Sequence, residues 1–253
     1  MYIKNINNFN SDLIHTPFIG IAAKLVNFNS GWHQHSKHQL LLAKNGWIVI
    51  EISQCRYFIP QGCAIWIPAQ TKHKTSTQNE VELRSLFLKE GLSLPDKVIV
   101  ITVTPLLREI IDTMAHWPWD KPYKEQFSLM AVFKEELNTA LQHSIKLMLP
   151  QDRRIEPLME MINKNLLPPK LTEIENTIGA SSKTIGRIFL RETGLNYQSW
   201  RQQWRLMKAM ELLAAKHSVS TVAQMLEFSS SSAFIAFFVK YTNQTPGRFL
   251  ASL

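Results

Sequence analysis

The stretch from Leu171 to Phe249 admits few folds, because one helical pattern occurs in it twice. In its first half Leu171, Ile174 and Ile178 recur at three and four residues, the spacing that lines one face of a short helix with apolar side chains. Gly179 ends that helix, and Ser181 or Ser182 can cap the next, since a hydroxyl there accepts a hydrogen bond from a free first-turn N–H. Ile185, Ile188 and Phe189 supply the buried face of the second helix, and Gly194 can take the left-handed conformation that stops it. A shift of 48 residues lays Ile174 on Val222 and Ile178 on Leu226; a shift of 49 lays Ile185 on Phe234, Phe189 on Phe238 and Gly194 on Asn243. Between the copies, Asn196 to Ala214 lacks Gly and Pro and is rich in strong helix formers, which predicts a stiff connecting helix. The pattern therefore predicts two helix-turn-helix units, about 171–194 and 219–242, held at a fixed separation.

Helix, short turn, helix is the unit that sets its second helix in a DNA major groove. The residues here resemble the DNA-binding domain of AraC/XylS-type transcription regulators. The likeness rests on Phe189-Leu-Arg-Glu-Thr-Gly194, Trp200-Arg201 with Arg205-Leu-Met-Lys-Ala209, Leu212-Leu213, Ser232-Ala-Phe-Ile-Ala236 and Thr245-Pro-Gly-Arg-Phe249. Two positions depart from the family. Glu175 stands where the family, and Ala223 in the second unit, has a small residue, and Glu227 stands where the family, and Gly179 in the first unit, has glycine. Thr172-x-x-Glu175 can instead form a capping box that starts the first helix later.

By family position Lys183, Gly186 and Arg187 reach base edges, and Arg187 is the favoured reader because its fork matches guanine O6 and N7. Ser182 and Thr184 are candidate phosphate anchors, and Arg191 is a further outward position. The second outward face, with Ser230, Ser231, Ser232, Ala236 and Lys240, has no Arg; it should contribute backbone contacts and thymine-methyl packing more than hydrogen-bonded readout. Arg201 and Arg205, one turn apart on the connecting helix, are candidates for phosphate contact or for salt bridges.

The remaining length is enough for a second domain with its own core. Charge supports the division: residues 1–150 carry 15 Lys and Arg against 12 Asp and Glu, whereas the shorter 151–253 carries 13 against 8. The shorter segment is the more basic per residue, which fits nucleic acid, an anionic membrane or simple solubility, and here coincides with the helix-turn-helix pattern. No run of 18 apolar residues and no charged-then-apolar leader is present, so a cytoplasmic protein with no membrane partner is expected. Cys55 and Cys63, eight apart and without metal-ligand spacing, read as reduced core thiols.

From Ile19 to about Lys89 the chain reads as β. The runs Gln39–Ala43, Trp47–Ile52, Tyr57–Ile59, Ala64–Ile67 and Glu80–Leu88 are bounded by Asn45-Gly46, Pro60-Gln-Gly62 and Pro68, which suggests a sandwich or small barrel. His33, His35 and His38 lie within six residues, and His73 follows later. His-x-His on a strand puts both imidazoles on one face, where a third can complete a three-nitrogen metal site. The segment resembles the cupin family. Its first motif is matched by His33, His35, Gln39 at the usual Glu place and Gly46, and its second by Gly62, Pro68 and His73. The resemblance implies His33, His35, Gln39 and His73 as ligands of a divalent transition metal, or as the lining of an effector pocket with Trp32, Trp47 and Trp66 as walls. Val98–Thr104 reads as one more strand. Leu106 to Met114 and Phe127 to Leu141 then follow helical spacing, their stripes packing on the cupin or on a second copy.

The expected fold is α+β in two domains. Residues 1–150 form a cupin-like β-barrel for effector binding and dimerisation, followed by helices, and residues 151–253 form an all-α AraC-type domain. The expected function is sequence-specific transcription regulation through double-stranded DNA, controlled by a small-molecule or metal effector. A homodimer is expected, with RNA polymerase as a further candidate partner. The alternative is a metal-dependent cupin enzyme, of dioxygenase or isomerase type, carrying a DNA- or partner-binding appendage.

Overall fold

The computed structural model describes residues 1–4, 6, 9–78, 80–89, 94–143, 146–164 and 166–251. Residues 252 and 253, the end of the expected second domain, lie outside the described residues. In chain order come β1 (Tyr2–Ile3), β2 (Phe18–Leu25), β3 (Phe28–Asn29), β4 (His38–Ala43), β5 (Trp47–Ile52), β6 (Cys55–Pro60), β7 (Cys63–Ile67), β8 (His73–Thr77), β9 (Val81–Leu88) and β10 (Ile99–Thr102). Helices α1 (Pro105–Ala115) and α2 (Tyr123–Thr139) and the short strands β11 (Gln142–His143) and β12 (Lys146–Met148) follow. The rest is helical: α3 (Glu156–Asn163), α4 (Leu171–Ile178), α5 (Ser182–Thr193), α6 (Tyr197–Ala214), α7 (Val219–Met225), α8 (Ser231–Thr242) and α9 (Pro246–Ala251). The chain divides into two compact units, one β-rich (Met1–Ser53 with Phe58–Ile145) and one helical (Gln54–Tyr57 with Lys146–Ala251).

In the β-rich unit one sheet runs β1-β2-β9-β4-β7-β10-β11 and a second runs β6-β5-β8-β3. Asn27, at φ +47°, turns the chain out of the first sheet into the second. Among the described strands no pairing joins β3 to β1, so the barrel expected from the cupin likeness is two separate hydrogen-bonded sheets. The period-two alternation of the strands decides what each face buries. Leu40, Leu42, Leu86 and Leu88 turn to one side and pack with Leu107, Ile110, Ile111 and Met114 of α1 and Met130, Phe133 and Leu137 of α2. Most of the two helical stripes takes the sheet, whereas Leu106, Phe127 and Leu141 stay exposed. Gly20 permits it: a Cβ there would lie 2.0 Å from the Met114 carbonyl oxygen, so the α1 backbone rests directly on β2. The alternate residues Gln39, Leu41, Leu83, Ser85 and Phe87 face a cavity on the other side.

In the helical unit β12 pairs antiparallel with Cys55–Tyr57, and the indole N–H of Trp200 on α6 donates to the Met148 carbonyl at 2.6 Å. The repeat seen in the sequence is present as structure. Ser181 caps α5, accepting from the Thr184 N–H, and Ser230, 49 residues on, caps α8, accepting from the Ala233 N–H. Gly194 and Asn243 end these helices at φ +72° and +55°. The Thr193 hydroxyl donates to the Phe189 carbonyl and the Thr242 hydroxyl to the Phe238 carbonyl, both at 2.7 Å. Phe189 meets Trp200 edge-on at 5.0 Å, and Phe238 meets Phe249 edge-on at 5.5 Å.

The Thr172/Glu175 capping box does not form. Helix α4 begins at Leu171, where the Glu173 carboxylate accepts from the Lys170 N–H, and Glu175 reaches forward to the start of α5.

Candidate functional site

The cavity of the β-rich unit has a volume of about 480 Å³. Ile6, Phe9, Ile21, Phe28, Leu41, Leu83 and Phe87 form its apolar walls, and Asn10, Ser11, Asn29, Ser30, His33, Gln34, His35, Gln39, Thr75 and Ser85 its polar ones. No Asp, Glu, Lys or Arg lines it among the described residues. His33 and His35 precede β4 in irregular backbone rather than on a strand, so the strand alternation expected for them does not apply. A single bridge places them instead: His33 N–H donates to the His73 carbonyl at 2.9 Å, and His73 N–H to the His33 carbonyl at 2.8 Å.

The three rings converge. His73 lies 4.3 Å from His33 and 5.1 Å from His35 by ring centroid, and one ring nitrogen from each lies within 4.8 Å of the others. Nδ1 of His33, His35 and His73 faces the carbonyl of Gly31, Lys37 and Thr71 respectively, at 3.1, 2.6 and 2.8 Å. A carbonyl only accepts, so Nδ1 carries the proton in each ring and Nε2 holds the lone pair of the neutral form. Burial favours that neutral form: it pulls the His35 pKa below the ordinary histidine value and that of His73 down to about 4.

The His73 ring is fully buried, and its Nε2 has no hydrogen-bond partner among the described residues. Gln39 lies between His35 Nε2, 3.0 Å from its Oε1, and the Ser85 hydroxyl, 2.9 Å from its Nε2. A neutral His35 requires the amide orientation that offers NH2 to the imidazole and oxygen to Ser85. His38, the fourth histidine of the pattern, is outside the cluster and stacks on Trp66 at 5.2 Å. The tryptophan walls are corrected. Trp66 is buried in the α1–α2 core with its indole N–H on the Pro95 carbonyl, Trp47 packs against Phe58, and Trp32 is exposed beneath Lys74. None of them lines the cavity; Phe9, Phe28 and Phe87 supply its aromatic surface.

On the helical unit, Lys183 and Arg187 are exposed on α5 and make no ion pair among the described residues. Gly186 has open space beyond it, and Thr184 shares a 3.0 Å hydrogen bond with Ser181. The Ser182 N–H and hydroxyl both donate to Glu175, which holds that carboxyl below the usual range. A carboxylate at this helix start opposes a phosphate, so Ser182 is a capping partner first. Arg191 is bound to Asp152 at 3.0 Å and to Glu192 at 2.6 Å.

For Arg201 the salt-bridge alternative is the one present: its side chain is buried, donating to the Pro168 carbonyl at 2.7 Å and pairing with Glu227 at 3.2 Å. Arg205 is buried as well. It donates to the Leu226 carbonyl at 2.6 Å and lies 3.7 Å above the Phe228 ring, and burial lowers its pKa to about 10. On α8, Ser232, Ala236 and Lys240 are exposed and Ser231 is half-buried.

Residues 175–252 match a helix-turn-helix domain family. The whole chain is 30% identical, over 94% of the relative's length, to the HTH-type transcriptional regulator NimR of Escherichia coli (strain K12). The chain belongs to the AraC-type transcription regulators. Solved structures that the chain matches include ToxT of Vibrio cholerae O395, at 12% identity over 94% of this chain and 98% of that one (TM-score 0.39). Another is an AraC-type DNA-binding domain protein of Chromobacterium violaceum, at 22% identity over 39% and 89% (TM-score 0.35).

As an AraC-type regulator the chain is a DNA-binding transcription regulator rather than an enzyme. No helix among its described residues is long and apolar enough to cross a membrane. Sequence reasoning missed two kinds of residue in this regulator. Ile235 and Val239, each 36% exposed on α8, carry an apolar signature that reads as core. The burial of Arg201 and Arg205 was signalled only by the Glu and Phe residues at 227 and 228, more than twenty positions away.

Proposed function

We propose that this regulator is controlled by an effector bound in the cavity of its cupin-like N-terminal domain, residues 1–150, and reads DNA through two helix-turn-helix units in residues 151–253. One observation carries the effector reading. The fully buried Nε2 of His73 has no partner among the described residues, and two further imidazoles beside it are fixed in the same tautomer by backbone carbonyls. An unpaired buried lone pair costs free energy that a ligand recovers. His33, His35 and His73 fit a divalent transition metal through Nε2, because each Nδ1–H is held by an outer partner, as in established histidine sites; at His35 the ion would take the place of the Gln39 amide. A bound ion would supply a Lewis-acidic position for a donor atom of a small molecule in the cavity. Gln39 tethers His35 to Ser85 and adds no charge. A second reading, a neutral organic effector without metal, is favoured by the absence of charged side chains from the described lining.

On the DNA side Arg187 and Lys183 read base edges of the first site, while Thr184, Ser182, Ser231, Ser232 and Lys240 position the backbone. Arg201 supports the α7–α8 turn instead. Tyr123 and Phe127, both exposed on α2, offer apolar surface for a homodimer, and a promoter-bound regulator in the cytoplasm has RNA polymerase as its neighbour.

The test measures metal in the untagged full chain and in a His33→Ala/His73→Ala variant, together with operator affinity before and after chelation. Metal near one per chain, absent from the variant, with a chelator-sensitive affinity only in the parent, is the expected result. Metal-free parent protein after anaerobic loading would remove the metal and leave the organic effector.

A further inference from the structure

We propose that α8 reads the 5-methyl groups of thymines, with Ile235 and Ala236 as the specificity-determining residues of a second, A·T-rich box. This rests on the reading that α8, like α5, enters a major groove. The 49-residue register, fixed by the paired caps Ser181 and Ser230 and the paired helix ends Gly194 and Asn243, sets Ile235 at the place of Gly186, Ala236 at that of Arg187 and Val239 at that of Leu190. Where α5 presents a free cation, α8 presents an apolar stripe. That stripe does not belong to the core, which takes Phe234 and Phe238 from the opposite face, with Phe237 directed to Arg205.

In the major groove purines, cytosine N4 and thymine O4 offer hydrogen-bond donors and acceptors, and the thymine methyl is the one projecting apolar group. An isoleucine pressed on guanine O6 and N7, or on the cytosine amino group, strips water from those atoms and returns no partner, which disfavours G·C. The same isoleucine on a thymine methyl buries two apolar surfaces together, which favours A·T. Both effects act in one direction, and neither needs a hydrogen bond from α8. The flanking Ser231, Ser232 and Lys240 are suited to phosphates and place the helix without adding sequence information.

The decisive probe is deoxyuridine in place of thymidine, which removes the methyl group and nothing else. Duplexes recovered from a randomised pool by the full chain give the site, and Arg187→Ala identifies the first box as the one whose guanine preference it relaxes. In the other box each contacted thymidine replaced by deoxyuridine should weaken binding about fourfold, the size of one buried methyl. The same exchange in the first box should do little. Ile235→Ser should bind thymidine and deoxyuridine alike at the position Ile235 contacts, while the position under Ala236 keeps its preference. Two results overturn the proposal while leaving α8 on DNA: equal binding of thymidine and deoxyuridine duplexes where a G·C swap still weakens binding, or a second box rich in G·C. A pool showing no second box would overturn the docking of α8 itself. So would an Ile235→Ser variant that keeps full affinity but loses transcriptional output, which would assign the stripe to a protein partner.

Discussion

The two helix pairs, α4–α5 and α7–α8, are built on the same frame and finished differently. Serine caps, left-handed helix ends, threonine hydroxyls turned back on phenylalanine carbonyls and edge-on aromatic pairs recur 49 residues apart. Their outward faces agree in kind at Ser182 and Ser231, Leu190 and Val239, and Arg191 and Lys240, and differ between them, where Lys183, Gly186 and Arg187 stand against Ser232, Ile235 and Ala236. The turns differ too. The first is closed by Gly179 with Glu175 on the α5 start; the second has Glu227 at φ +55°, its carboxylate on Arg201, and Arg205 over Phe228. The frame and the middle of the outward face are thus separable properties of this unit, since the inward residues repeat where residues 183, 186 and 187 do not.

The comparison can be broken most forcefully at its shared core. Phe189→Ala and Phe238→Ala should each cost about 3–5 kcal/mol in denaturant unfolding, since each is fully buried against two aromatic rings. A small loss at either would show that the two frames are not equivalent. The next effect is confined to the second turn. Arg205→Ala leaves the Leu226 carbonyl without its donor and uncovers Phe228, for a loss of roughly 2–4 kcal/mol, and lysine should not restore it.

Exchanging the turn residues gives smaller changes. Gly179→Ala meets open space but keeps a left-handed φ, so it should cost about 1–2 kcal/mol. Glu227→Gly relieves a similar strain and gives up a half-exposed ion pair worth about 0–1 kcal/mol, so its net effect should be smaller than that of Gly179→Ala. The smallest difference is one of pH. Hydrogen bonds from Ser182 depress the Glu175 pKa in the folded state, so its contribution is complete above the unfolded value near 4.5 and is lost as pH falls through the lower folded value. Glu175→Gln should remove that acid-limb dependence from urea melts, and Ala223→Ser in the second pair should leave it unchanged.

Much of the helical unit was legible because the information is local. Caps, stops and three-four spacing lie within a few residues of one another, and Gly194, Asn243, Phe189 and Phe238 stand where the repeat places them. The destinations of Arg201 and Arg205 were not legible, since a cation's burial depends on groups distant in sequence. In the β-rich unit the histidines were found by spacing, yet they converge through one bridge between residues 33 and 73 rather than through strand alternation. Trp47 and Trp66 show the same limit. Aromatic character marks a residue for burial, but the parity of its strand decides whether that burial is in the cavity or behind the sheet, and parity depends on register.

Helix α6 has a consequence for how a genome can be searched. Eighteen unbroken residues make a rod about 27 Å long. Within its first nine residues Trp200 is set into the first pair, and Arg201 and Arg205 hold the turn of the second through Glu227 and Leu226. A rod fastened in this way cannot stretch to accommodate a displaced box. If α8 docks as proposed, inserting half a turn of DNA between its box and that of α5 should carry the second box to the opposite side of the duplex and abolish joint binding, whereas a swivelling linker would follow it. The operators of this regulator should therefore be conserved in phase as well as in letters.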